Sequence, residues 1–174
     1  MRFDIRYKPA HTLAVCSLAP GESVVAESGA MVSMSSNIGV RTDGPMGGKK
    51  GGLLKSLKRT VLGGETFFTN TFTAQSGPAE VSLAPSLAGD MVVHPLQPGE
   101  TLFIQGSSYV AAPESVLLDA KWQGMRGFLT GEGLFFLKAE GSGPVLINAF
   151  GAIHTMDLDG ELIVDTGHLV AFTE

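Results

Sequence analysis

At 174 residues and 18.2 kDa the chain has room for one domain, or two small ones fused, and a core that needs neither disulfide nor metal to fold. Apolar residues at 44% and charged residues at 17% exclude a disordered chain, and 23 glycines without a three-residue period exclude collagen. Twelve basic against 17 acidic side chains leave a net charge of −5, which disfavours nucleic acid as a partner.

In chain order the apolar pattern is short-range. Met1 to Arg6 lacks the apolar core of a signal peptide, and Phe3 and Ile5 alternate with polar neighbours. Leu13-Ala14-Val15-Cys16 carries the single cysteine, which reads as a buried, inert thiol in a reducing compartment. Strand-length runs follow at Val24-Val25-Ala26, Thr66 to Phe72, Leu102-Phe103-Ile104, Val116-Leu117-Leu118, Leu134 to Leu137, Val145-Leu146-Ile147 and Leu162-Ile163-Val164. They are rich in β-branched and aromatic residues and bounded by Gly, Pro, Ser or Asp, the signature of an all-β sandwich or barrel. No uncharged apolar stretch approaches the roughly 20 residues of a membrane helix, so a cytoplasmic location is expected.

One segment departs from this pattern. Between Gly44 and Gly64, Leu53, Leu54, Leu57, Val61 and Leu62 recur at helical spacing, with Lys55, Lys58 and Arg59 between them. The spacing predicts a short amphipathic helix on glycine hinges. Lys49, Lys50, Lys55, Lys58 and Arg59 are five of the 12 basic residues. With Leu53, Leu54 and Leu57 they form the candidate contact for an anionic membrane surface or an acidic protein partner.

The chain also resembles itself. Leu18-Ala19-Pro20-Gly21-Glu22 matches Leu96-Gln97-Pro98-Gly99-Glu100 at an offset of 78 residues, and Met31-Val32 matches Tyr109-Val110. A shorter third copy runs Leu158-Asp159-Gly160-Glu161-Leu162-Ile163 and on to Leu169-Val170-Ala171. A second motif, Gly64-Glu65-Thr66-Phe67-Phe68 with Gly77-Pro78, parallels Gly131-Glu132-Gly133-Leu134-Phe135-Phe136 with Gly143-Pro144. Pro-Gly presets φ at the first residue and supplies positive φ at the second, as a type II turn requires, and Asp159-Gly160 favours a hairpin turn. Each copy therefore marks a strand, a tight reversal and a second strand. The expectation is a single compact unit of two related β subdomains, residues 1–90 and 91–174. Glu22, Glu100 and Glu161 recur at matched turn positions, which assigns them a structural role at the reversal.

Leu-x-Pro-Gly-Glu at 18–22, Ala26-Glu27-x-Gly29-Ala30-Met31-Val32, the glycine-rich basic segment and Gly64-Glu65-Thr66-Phe67-Phe68-x-Asn70 stand in one order along the chain. So do Ser82-Leu83-Ala84-Pro85-x-Leu87-x-Gly89-Asp90, Gly131-Glu132-Gly133-Leu134 and Val164-Asp165-x-Gly167-His168-Leu169-Val170-Ala171. In that order they resemble the altered-inheritance-of-mitochondria 24 family, in its bacterial branch. The resemblance implies a duplicated β-roll related to the double-stranded β-helix subunit of the trp RNA-binding attenuation protein. It also implies a homotrimer with pseudo-sixfold symmetry. Family members often continue past the Val164 to Ala171 motif with another sheet segment, so a chain stopping at Glu174 is expected to be either a short member or a truncated one, with an incomplete last repeat.

No catalytic constellation emerges, and no enzyme, cofactor or metal is expected. His11, His94, His154 and His168 form no i+2 or i+4 pair of the kind a cupin-like metal site uses. Asp157, Asp159 and Asp165 around Gly160 miss the EF-hand spacing. There is no Gly-x-Ser-x-Gly elbow, and Gly47 to Gly52 lacks the order of a phosphate loop. The expected function is a non-catalytic oligomeric β scaffold or interaction module. The alternatives are an anionic-surface adaptor acting through residues 47–62 and a small-ligand-binding ring.

Overall fold

A computed structural model of the chain describes residues 1–43, 61–62, 65–119 and 135–174. The strands are β1 (Arg2–Arg6), β2 (Leu13–Leu18), β3 (Ser23–Glu27), β4 (Met31–Met34), β5 (Ile38–Asp43), β6 (Val61–Leu62), β7 (Glu65–Thr66) and β8 (Thr69–Ala74). They continue with β9 (Ala79–Leu83), β10 (Gly89–Leu96), β11 (Thr101–Gln105), β12 (Tyr109–Pro113), β13 (Val116–Asp119), β14 (Phe136–Gly141), β15 (Gly143–Phe150) and β16 (Ala171–Thr173). Single 3₁₀ turns at Gly106–Ser108 and Thr166–His168 are the helical elements among the described residues. The fold is all-β, as the short apolar runs predict. The basic segment for which a helix is predicted lies outside the described residues.

Three antiparallel sheets carry the fold, in the orders β1-β2-β9-β4, β10-β15-β12-β3-β8-β5 and β13-β14-β11-β16, beside a small β6-β7 ladder. Among the described residues no sheet closes into a barrel. The six-stranded sheet is central because its alternate residues feed two cores, the period-2 rule of a strand buried on both faces. Leu146 of β15 packs with Ala14, Cys16, Val81 and Leu83 of the first sheet. Its neighbours Val145 and Ile147 pack with Leu102, Ile104 and Leu137 of the third. Each fully buried side chain of this size is worth roughly 1.5–3 kcal/mol.

The internal repeat is written in the strand pairing. β2 pairs β9, β3 pairs β8, β5 pairs β8 and β4 pairs β9. The second half repeats all four pairings, as β10 with β15, β11 with β14, β13 with β14 and β12 with β15. Register is conserved: Val24 faces Phe72 as Leu102 faces Ala139, and Ile38 faces Ala74 as Val116 faces Gly141. Even an irregularity recurs. The register shifts between Met31 and Ser33 on β4 and again between Tyr109 and Ala111 on β12, so Val32 and Val110 occupy matching bulges.

Two details differ from the sequence reading. The strands either side of Pro20-Gly21 do not pair with each other: β2 lies in the first sheet and β3 in the central one, so the turn is a corner between sheets. β10 and β11 are related in the same way across Pro98-Gly99. The second motif is equivalent only in part. Pairing register aligns Gly143 with Ala79 rather than Gly77, because the connection from β8 to β9 is longer than that from β14 to β15.

Beyond β15 the pattern begins a third time, and the described residues hold part of it. Gly160 has φ +98°, like Gly21 at +79° and Gly99 at +86°. The second 3₁₀ turn stands 60 residues after the first, and β16 stands 60 residues after the last three residues of β12, Ala111 to Pro113. β16 is pinned to β11 by pairing and by stacking of Phe172 on Phe103, with ring centroids 5.0 Å apart. The predicted strand at Leu162-Ile163-Val164 and the predicted hairpin at Asp159-Gly160 are absent. Residues 152–165 form no ladder, because the strands that would flank them have no counterpart among the described residues.

Candidate functional site

The repeated glutamates come first, since they are the charged groups that the duplication conserves. In each corner the Glu amide donates to the carbonyl three residues back, Glu22 to Ala19 and Glu100 to Gln97, both at 3.0 Å. Each side chain then accepts from the amide at that same position, Ala19 N–H onto Glu22 Oε2 and Gln97 N–H onto Glu100 Oε2, both at 2.8 Å. One oxygen of each carboxylate therefore closes its own turn, the structural role predicted at the reversal. The other oxygen differs between copies. Glu22 Oε1 takes the Met1 ammonium, and Glu100 Oε1 lies 3.0 Å from His94 Nε2.

Both carboxyls are held below their ordinary range. For Glu22 the main cause is the Met1 ammonium, followed by the Ala19 amide. For Glu100 it is the Gln97 amide, with His94 assisting. Glu161, the third of the series, stands exposed in the incomplete copy. Both oxygens of each carboxylate are engaged in holding the corner, one by the turn amide and the other by Met1 or His94.

The remaining chemistry-bearing side chains are scattered. His11, His154 and His168 are exposed, and among the described residues no three His, Cys, Asp or Glu side chains gather as metal ligands would. Cys16 is fully buried, and burial pushes its thiol up to about 12. Tyr109 lies in the second core, its hydroxyl donating to the Val25 carbonyl at 2.8 Å across the β12–β3 junction. Lys49, Lys50, Leu53, Leu54, Lys55, Leu57, Lys58 and Arg59 lie outside the described residues.

What the structure adds is apolar surface in two places. Strand β4 is exposed along its length, with Met31, Val32 and Met34 turned to solvent at the end of the first sheet. Residues 150–164 expose Phe150 at 78%, Ile163 at 99% and, between them, Met156, Leu158 and Leu162. Scattered surface hydrophobics need no explanation, but exposed apolar residues gathered on backbone that forms no ladder over 152–165 make a candidate interaction surface. The signal was present in the sequence as the third repeat. Reading that run as a strand assumed neighbours that are not found among the described residues.

The sequence profile of the family described as Mitochondrial biogenesis AIM24 matches residues 3–174. An uncharacterised protein of Streptococcus pyogenes serotype M6 is 31% identical over 180 residues, which take in 99% of this chain and 71% of that protein. The X-ray crystal structure of a Streptococcus pyogenes protein superposes with a TM-score of 0.74 at 28% identity, covering 99% of this chain and 76% of that one.

Proposed function

The chain belongs to the mitochondrial biogenesis AIM24 family, and from that premise we propose that it is a non-catalytic β scaffold that works as a homotrimer. The chain is one compact unit of two related subdomains, divided near residue 90. The observation that carries the reading is the apolar strip at residues 150–164, ending in an Ile163 that is 99% exposed on backbone without a ladder. Burying such a strip against other chains removes apolar area from water and satisfies peptide groups together. The turn-bound glutamates support the same reading, since the most conserved charges of the repeat are spent on architecture. A cytoplasmic location fits the single buried thiol, and among the described residues no helix is long and apolar enough to cross a membrane.

Light scattering coupled to gel filtration tests the scaffold. The expected mass is three times the 18.2 kDa of one chain. A single-chain mass at micromolar concentration overturns the reading.

A second reading rests on charge. Five of the 12 basic side chains of an acidic protein fall within positions 49–59, so the same scaffold presents up to three basic segments to an anionic membrane. Each basic residue near such a surface adds about 1 kcal/mol, and joined copies add avidity. Co-sedimentation with phosphatidylserine vesicles should weaken with salt and vanish when Lys49, Lys50, Lys55, Lys58 and Arg59 are neutralised. Unchanged binding by that variant rejects the reading.

A further inference from the structure

We propose that the free edge of β4 pairs antiparallel with residues 162–164 of a second copy of this chain, with Ser33 opposite Val164, Met34 opposite Ile163 and Ser35 opposite Leu162. The inference rests on the assembly reading above and supplies its joint. It follows from a rule that the fold obeys twice. β12 pairs on its outer side with β3, with Ala111 facing Ala26, Ala112 facing Val25 and Pro113 facing Val24. β16 pairs with β11 in the same way, Ala171 facing Ile104, Phe172 facing Phe103 and Thr173 facing Leu102. In both cases the strand after a short turn clasps the corner strand of the preceding repeat.

Among the described residues the rule leaves one strand of each kind unmatched. β4 is the first repeat's counterpart of β12, with the same partner relation to β9, the same bulge and the same 78-residue offset. It sits at the end of its sheet, so its outer edge is unclasped among the described residues. Counted back from the 3₁₀ turn, Leu162-Ile163-Val164 is the third repeat's counterpart of Val24-Val25-Ala26 and Leu102-Phe103-Ile104, the connection from Gly160 to the turn being one residue shorter than that from Gly99. It precedes the 3₁₀ turn at Thr166–His168 by the spacing at which Leu102-Phe103-Ile104 precedes the turn at Gly106–Ser108. Transferring the observed register to these leftovers yields the three pairs named above.

The occupant is a second copy because the two elements do not pair within one chain, while each chain owns both. The composition agrees. Met34, Val32 and Met31 on one side and Ile163, Leu162 and Val164 on the other are exposed apolar residues at positions whose counterparts in β12 and β11 are buried. The two surfaces are different patches of one molecule, so the contact is heterologous and closes into a ring when the rotation allows.

The test uses the full chain carrying Met34→Cys or Ile163→Cys, both at exposed positions, co-expressed under different tags and treated with a short bis-maleimide, each end of which adds one thiol across its double bond. Linkage between the two variants is expected, with at least tenfold less when Ile163→Cys is replaced by Leu158→Cys, five residues out of register. The chain bearing both cysteines is expected to give a covalent ladder ending at three. Circular dichroism and light scattering on each variant show that it is folded and assembled. A trimeric mass without the linkage, or with equal linkage at Leu158→Cys, overturns this pairing while leaving the scaffold intact. A link confined to one chain overturns the pairing in favour of closure within the molecule. A monomer overturns the scaffold itself.

Discussion

Val32 and Val110 occupy the same bulge on equivalent strands, yet Val110 is 1% exposed and Val32 is 57% exposed. The pairing pattern is the same and the difference is the neighbour: β12 lies between β15 and β3, whereas among the described residues β4 pairs with β9 alone. Substitutions at the two sites should therefore separate folding from assembly. Val110→Asp buries an unpaired carboxylate in the first core and should cost several kcal/mol, enough to abolish the cooperative melt. Val32→Asp should leave the secondary structure intact and stay within about 0.5 kcal/mol in the dissociated chain, while lowering the assembled fraction seen by light scattering.

The corner glutamates predict an acid limb. Both carboxyls titrate below their ordinary value of 4.5 in the folded chain, because the charged form is stabilised there by amides and, at Glu22, by the Met1 ammonium. A depressed carboxyl contributes stability that is fully present above pH 4.5 and is lost as pH falls through its folded value. Urea melts of the native chain should therefore weaken over that range. Glu22→Gln and Glu100→Gln should each flatten the dependence, since an amide still accepts from the backbone but carries no proton equilibrium.

The corners were legible in the sequence because a Pro-Gly pair followed by Glu specifies a local conformation and a local acceptor, and both are satisfied within four residues. The strands were legible because β-branched runs between turn residues describe a pleated, buried surface. Leu162-Ile163-Val164 misled for the same reason. Its composition is as strand-like as that of Leu102-Phe103-Ile104, but strand formation depends on a neighbour that composition cannot report. The exposed edge of β4 was likewise hidden, since Met31-Val32 reads no differently from Tyr109-Val110 until the pairing is known. Which sheet each flanking strand joins was also out of reach, because a tight turn fixes a reversal and not the pairing across it.

Glycine substitutions should rank by what a new Cβ meets. At Gly21 and Gly99 nothing lies within 4 Å, and the cost is the positive φ alone. Gly21→Ala and Gly99→Ala should each lose about 1–2 kcal/mol, and additively, because the corners are separate. Gly89 has ordinary φ but a Cβ there would stand 1.8 Å from the Ala149 carbonyl oxygen of the paired strand. Backbone cannot move aside as a side chain can, so Gly89→Ala should cost more than either corner. Thermal denaturation of the three variants gives the order.

Tyr109→Phe isolates one buried hydrogen bond. The hydroxyl donates to the Val25 carbonyl on the neighbouring repeat, while the ring packs edge-on against Phe67 with centroids 5.8 Å apart. The substitution keeps the ring contact and removes only the donor, so the loss should be about 1–2 kcal/mol. Tyr109→Leu, which removes both, should lose more. Equal losses would place the whole effect in the hydroxyl.

Alkaline pH provides the last test, and its sign is opposite to that of the glutamates. Burial raises the Cys16 thiol from 9.0 to about 12 and raises the Tyr109 phenol above its ordinary value of 10.0. In each case the unfolded chain ionises first, so stability is intact below the unfolded value and falls as pH rises beyond it. One such thiol removes at most about 1.4 kcal/mol per pH unit, beginning near pH 9.0 and ending near 12. Urea melts between pH 8 and 11 should show this decline in the native chain and a shallower one in Cys16→Ala. The comparison is between slopes, because the vacated methylene and sulfur cost the variant stability at every pH. The same inaccessibility predicts that a thiol reagent modifies Cys16 only after unfolding, releasing one equivalent in urea and almost none in buffer. Fast labelling of the folded chain would contradict the burial of β2 against β9.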